Sequence, residues 1–189
     1  MDRKPRADSL RNRDLLLTTA KAAFAEAGAE VALEEIARRA GVGIGTLYRH
    51  FPTRSALLAG VYQREIDQLT GAADALLREK APAEAMEAWL NLLIDYLTTK
   101  RVVVPALKAD EEGVRAYASA TAGSPVSETL KRLARTAAAA GEIRSDTGDD
   151  DVYRMLIGIT HGYEQPGWEA SGRRLVSILM AGLRRQGER

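Results

Sequence analysis

The feature that most constrains this chain is a glycine-cornered stretch running from Leu33 to Phe51. Leu33, Ile36, Ala37 and Ala40 repeat at i, i+3, i+4 and i+7, the spacing of one buried helical stripe. Gly41 follows, where a helix stops and the chain needs a left-handed residue. Val42 is placed to tuck under the corner, and Gly43 to open a second helix as a tolerable N-cap. In that second helix Leu47 and Phe51, four apart, face inward and leave Ile44, Gly45, Thr46, Tyr48, Arg49 and His50 outside. Hydroxyl, aromatic, guanidinium and imidazole groups with little aliphatic bulk suit a groove lined by phosphates and base edges. The stretch is therefore a helix-turn-helix candidate, and a purely structural helix corner is the competing reading.

The flanking sequence frames this motif. Residues 1–9 carry Arg3, Lys4 and Arg6 beside a proline and read as a flexible basic arm. From Leu10 to about Ala27 the positions Leu16, Ala20, Ala23, Phe24 and Ala27 make a helical stripe that Gly28 ends. After Phe51, a Pro-Thr-Arg-Ser turn opens a long helix, capped by Thr53 or Ser55 and reaching about Glu79. Beyond it the spacing predicts only helices, over about 83–99, 110–121, 126–140, 150–163 and 172–184. A short apolar piece at 102–107 is expected to break at Pro105. The fold class is all-α. A three-helix helix-turn-helix domain (residues 1–54, motif 33–52) is joined by the long helix to a second helical domain (55–189).

Composition narrows the function classes. There is no cysteine, which excludes a disulfide scaffold and a thiolate metal site and fits a reducing cytoplasm. No apolar run approaches the roughly 18 residues of a membrane span, and the N-terminus does not read as a signal peptide. Net charge is only +1, but residues 1–64 hold 11 basic and 7 acidic side chains against 16 and 19 in the remainder. A basic front on an acidic remainder is the asymmetry expected if only the front meets nucleic acid.

The residues Ile36-Ala37, Ala40-Gly41-Val42, Gly45-Thr46-Leu47-Tyr48, His50-Phe51, Arg54 and Ala56-Leu57-Leu58 closely resemble the tetracycline-repressor (TetR-like) family of bacterial regulators. The resemblance covers about residues 12–60; beyond residue 80 it is architectural only. It implies a DNA-binding head, a helical effector-binding and dimerisation domain, and a homodimer on a palindromic double-stranded DNA operator, released by a small-molecule effector. Carried onto this sequence, it sets Ile44, Gly45 and Tyr48 against base edges and thymine methyls. Thr46, His50 and Arg54 fall at phosphate positions, and Arg49 reaches either. Two departures stand out. Ala32 occupies a position where the family commonly has Thr or Ser, and Gly43 one where Ser is frequent, so both short helices lack a side-chain cap. Glu34 and Glu35 suit the dipole of the first helix but repel phosphate, so base reading is expected to rest on residues 44–50.

In the second region Trp89, Leu93, Tyr96, Tyr117, Met155, Ile159 and His161 are candidates to line a largely apolar effector pocket. Each has ordinary core or surface as its plainer reading. The last two helices, with Leu156, Ile159, Leu175, Ile178, Leu179 and Leu183, are the expected dimer surface. No metal-ligand spacing, cofactor loop or nucleophile–base pair is present, so neither cofactor nor catalysis is expected. Two functional readings follow. One is a ligand-responsive DNA-binding regulator, a repressor. The other is an all-helical small-molecule-binding protein or enzyme in which residues 33–51 are structural.

Overall fold

The computed structural model describes residues 3–163, 165 and 167–185, apart from the side chains of residues 3–7 and 149. The described helices are α1 (Arg3–Ala27), α2 (Leu33–Arg39), α3 (Ile44–His50), α4 (Arg54–Glu79), α5 (Pro82–Leu107), α6 (Glu111–Thr121), α7 (Pro125–Ala139), α8 (Asp149–Thr160) and α9 (Trp168–Leu183). No strand occurs among the described residues, and one isolated bridge pairs Ile143 with Arg184.

The chain forms two compact units, and neither is one continuous stretch. The first comprises residues 1–65 and 99–121; the second comprises 66–98 and 122–189. Helices α4 and α5 each begin in one unit and end in the other.

In the first unit, α1 presents Leu16, Leu17, Ala20, Ala23 and Phe24 to a core shared with Ile36, Ala37, Leu47 and Phe51, all buried. The corner after α2 closes as expected. Gly41 adopts φ +67°, its N–H bonds the Arg38 carbonyl, and the Val42 N–H reaches back to the Ala37 carbonyl at 3.0 Å. This doubly bonded left-handed ending satisfies carbonyls that a helix end leaves orphaned. The start of α4 is fastened to α6. Thr53 Oγ1 accepts the Ala56 N–H at 2.9 Å and donates to Glu112 at 3.1 Å, while the Ser55 hydroxyl donates to Asp110. Asp110 also caps α6 by accepting the Gly113 N–H at 2.7 Å. Those donors, Ser55 foremost, hold the Asp110 carboxyl below its usual range. Glu65, 6% exposed, is neutralised by the Lys21 ammonium at 2.6 Å.

In the second unit Trp89, Leu90, Leu93, Ile94, Leu130, Leu133, Val176 and Met180 form the core. The Glu142 carboxylate caps α5 from a distant part of the chain by accepting the Ala83 N–H at 2.7 Å.

Four helix boundaries depart from the sequence reading. Arg3–Ser9, expected as a flexible arm, is the first part of α1. α5 runs through Pro105 rather than breaking there. Proline costs a helix one N–H bond. Here the cost falls in the final turn, where Val103, Val104 and Leu107 are buried and the Lys108 N–H closes on the Val104 carbonyl at 3.0 Å. α8 stops at Thr160, before Gly162 takes φ +80°. α9 starts at Trp168, whose indole is buried and donates to the Ile159 carbonyl at 3.3 Å, so packing carries the helix start ahead of Gly172.

Candidate nucleic-acid interface

The recognition candidate is α3, and the structure divides its side chains sharply. Leu47 and Phe51 are buried against α1 and α4 residues. Ile44 is 37% exposed and Tyr48 44%, and Gly45 and Arg49 are exposed beside them. Thr46 and His50 are half-buried at the flanks. One face of a two-turn helix therefore offers an aliphatic group, a bare backbone, a phenol and a guanidinium, with a hydroxyl and an imidazole at its edges. Such a face makes apolar contact with thymine methyls, accepts or donates at base edges, and donates to phosphate oxygens.

Neither short helix has a side-chain cap. Ala32 and Gly43 occupy the N-cap positions without side-chain hydrogen bonds. Capping is replaced by packing, because Leu33, Ile36 and Leu47 are buried.

The charges of α2 are consumed locally. Glu35 accepts from Arg38 at 2.7 and 2.8 Å and from Arg39 at 2.7 Å, and Arg39 also reaches Glu26 at 2.6 Å. These guanidiniums, Arg38 first and Arg39 second, hold the Glu35 carboxyl at about 2. α2 thus presents a largely self-neutralised surface next to α3.

Arg54 lies at the first turn of α4, where its Nη1 donates to the Ala29 carbonyl at 2.7 Å and to the Val31 carbonyl at 2.9 Å. It ties the α1–α2 loop to the start of α4. This work is invisible in the sequence, since its partners are backbone atoms 23 and 25 residues away. A second contact that sequence reasoning missed is Arg13, whose guanidinium lies 5.3 Å over the Phe51 ring at the end of α3.

The effector candidates divide between the two units. Trp89, Leu93 and Tyr96 share a buried face of α5, and Met155 and Ile159 share one of α8, all in the second unit. Trp89 is fully buried and its indole N–H is committed to the Leu69 carbonyl at 2.7 Å. His161 is exposed at the end of α8. Tyr117 belongs to the first unit, where it stacks on Tyr62 at 5.4 Å beneath the Lys108 ammonium at 3.9 Å. Among the residues expected at a dimer surface, Leu156, Ile159 and Leu183 are buried in their own unit. Leu175 and Ile178 are exposed, the latter at 67%, and Ile157 joins them at 51%.

Comparison with known proteins matches this geometry. A sequence profile described as "Bacterial regulatory proteins, tetR family" matches residues 16–61. A second, described as "Transcriptional regulator SbtR-like, C-terminal domain", matches residues 81–185, so the kinship extends well beyond the motif. A TetR transcriptional regulator of Streptomyces coelicolor is 40% identical with a TM-score of 0.78, covering 93% of this chain and 99% of its own. A TetR regulatory protein of Mycobacterium vanbaalenii is 32% identical with a TM-score of 0.76, covering 95% and 99%. An HTH-type transcriptional regulator of Staphylococcus aureus is 29% identical over 134 residues, 69% of each chain. The protein is a DNA-binding helix-turn-helix transcriptional regulator. Within that class, the chain belongs to the TetR family.

Proposed function

We propose that this regulator is a repressor that binds a palindromic operator as a homodimer, is released by a small, largely apolar effector, and is not an enzyme. The observation that carries the proposal is the division of α3, with Leu47 and Phe51 locked inside and Ile44, Gly45, Tyr48 and Arg49 turned outward. Thr46 and His50 donate to phosphates at the margins of that face. Arg54 takes a supporting part, holding the loop before α2 so that α3 meets the groove in one orientation. The DNA-reading role belongs to residues 1–54 and the effector and dimer roles to 55–189.

Dimerisation runs through α8 and α9. Ile157, Leu175 and Ile178 are the large apolar side chains those helices leave exposed, and Gly158 and Gly182 have open space around them. Two copies placed in this way present their recognition helices to successive major grooves, about 34–36 Å apart. The effector lies against Trp89, Leu93, Tyr96, Met155, Ile159 and His161. Among the described residues no helix is long and apolar enough to cross a membrane. The protein works on DNA in the cytoplasm.

The test is selection of duplexes from a randomised library, followed by binding of the enriched sequence by Tyr48→Ala. Specific binding should vanish while melting temperature and elution volume stay at their wild-type values. An unchanged mobility shift for that variant overturns the assignment of α3.

A further inference from the structure

The buried face of α1 does not stop where the core stops. Residues seven apart stand two turns apart on one line of a helix. One such line on α1 runs Arg6, Arg13, Ala20; its neighbour runs Leu10, Leu17, Phe24. The later members, Ala20, Leu17 and Phe24, are buried in the first unit's core. Going back along the same lines, the core ends and the chemistry changes to arginine and to Leu10, 65% exposed. From Asp8 to Leu15 no residue of α1 is buried. The helix therefore continues the face that packs on α3 for about 15 Å beyond the core, at roughly 1.5 Å per residue from Arg13 back to Arg3.

Charge is sorted along this extension. Asp8 falls on the side of the helix opposite Arg13 by register. Asp14 is taken up by Arg64, which bonds both its carboxylate and its carbonyl oxygen at 3.1 and 3.0 Å. Arg13 lies over the ring of Phe51, the residue that closes α3, and holds no carboxylate among the described residues. Stacking of this kind uses the face of the guanidinium and leaves its in-plane N–H groups able to donate.

We propose that the amino-terminal extension of α1 is a second DNA-contacting element, in which Arg6 and Arg13 donate to phosphates flanking the bases read by α3. The proposal rests on the DNA-binding role given to α3 above and adds a sequence-independent clamp beside it. Phosphate contacts fix register and strengthen binding without choosing bases. Leu10, between the two arginines, lies against the sugar edge of the same backbone.

The experiment titrates salt. A duplex enriched by the wild-type chain is bound by wild type, Arg6→Gln and Arg13→Gln across a range of potassium chloride, with fluorescence anisotropy as readout. Each lost phosphate contact lowers the slope of log K against log salt by about 0.9, equivalent to about eightfold weaker binding at 0.1 M salt relative to 1 M. The expected result is that reduction in each variant, close to twice that in the double variant, and unchanged ranking of mismatched duplexes. A wild-type slope in both single variants overturns the clamp while leaving the role of α3 standing. Lost affinity with an altered ranking of mismatches also overturns it, since the arginine is then shaping α3. A wild-type chain that enriches no duplex overturns the DNA-binding reading itself. Arg6 is two turns further from Phe51 than Arg13, so its variant keeps the test valid if Arg13→Gln loosens the α3 end.

Discussion

Replacing Gly60 by alanine sets two known effects against each other on one helix. In the interior of α4, alanine is better than glycine by about 1 kcal/mol of intrinsic helix propensity. A Cβ at position 60, however, would stand 2.9 Å from Cε1 of Phe51 and 3.0 Å from Cδ2 of Leu17. The Leu17 methyl is the end of a flexible side chain and can swing aside. The Phe51 ring is 3% exposed and lies under Arg13, so its edge has little room to retreat. Overpacking of this kind costs about 1–3 kcal/mol, which outweighs the propensity gain, so a net loss of about 1–2 kcal/mol is expected. Gly71 lies in the same helix with nothing within 4 Å of its Cβ position. Gly71→Ala should keep the whole gain of up to about 1 kcal/mol. For a chain of this size, 1 kcal/mol shifts the melting temperature by about 2–4 °C. Circular-dichroism melts at one matched protein concentration should therefore move in opposite directions for the two variants. Because Phe51 closes α3, Gly60→Ala should also weaken operator binding, whereas Gly71→Ala should not. Stabilisation by both substitutions would refute the argument that α4 is packed against the motif through position 60.

Other expectations concern polar ties and the dimer face. Arg54→Met removes two charge-assisted bonds to the Ala29 and Val31 carbonyls. It should cost about 2–3 kcal/mol in urea unfolding, with Arg54→Lys recovering only part of the loss. Glu35 titrates at about 2 when folded against an ordinary 4.5, so the unfolded chain takes up that proton first. The stabilisation by Glu35 is complete above about pH 4.5 and is lost as pH falls toward 2. Urea midpoints of Glu35→Gln and wild type should therefore differ at pH 6 and converge on acidification. Ile178→Asp, at the most exposed apolar position of α9, should convert the dimer to monomer in light scattering while leaving the helical spectrum intact. A persistent dimer would remove that face from consideration.

The helix-turn-helix was legible because its information is local. Periodic Leu33, Ile36 and Ala37, the left-handed need at Gly41 and the four-residue spacing of Leu47 and Phe51 act within a few turns, and the burial pattern follows them. What the sequence left hidden lies in contacts between distant segments. Arg54 looked free to reach phosphate, yet it binds carbonyls of the loop before α2. Pro105 looked like a break, yet burial of Val103, Val104 and Leu107 carries α5 past it. Leu156, Ile159 and Leu183 share an apolar pattern with Leu175 and Ile178. Periodicity alone does not say which of them the chain covers itself. Residues 81–185 match a family profile although no short motif there pointed to it, since that kinship is spread over helical packing positions.

The discontinuity of the first compact unit has a consequence for how the protein comes into being. Its second segment, residues 99–121, brings Asp110 and Glu112 to the start of α4 and Tyr117 to Tyr62. On a translating ribosome, synthesis at about 5–20 residues per second separates residue 65 from residue 121 by roughly 3–11 s. For that interval the nascent helix-turn-helix is without the partners that fasten its exit. The reading head is completed only after the intervening segment has been made, so it matures together with the body that controls it rather than ahead of it.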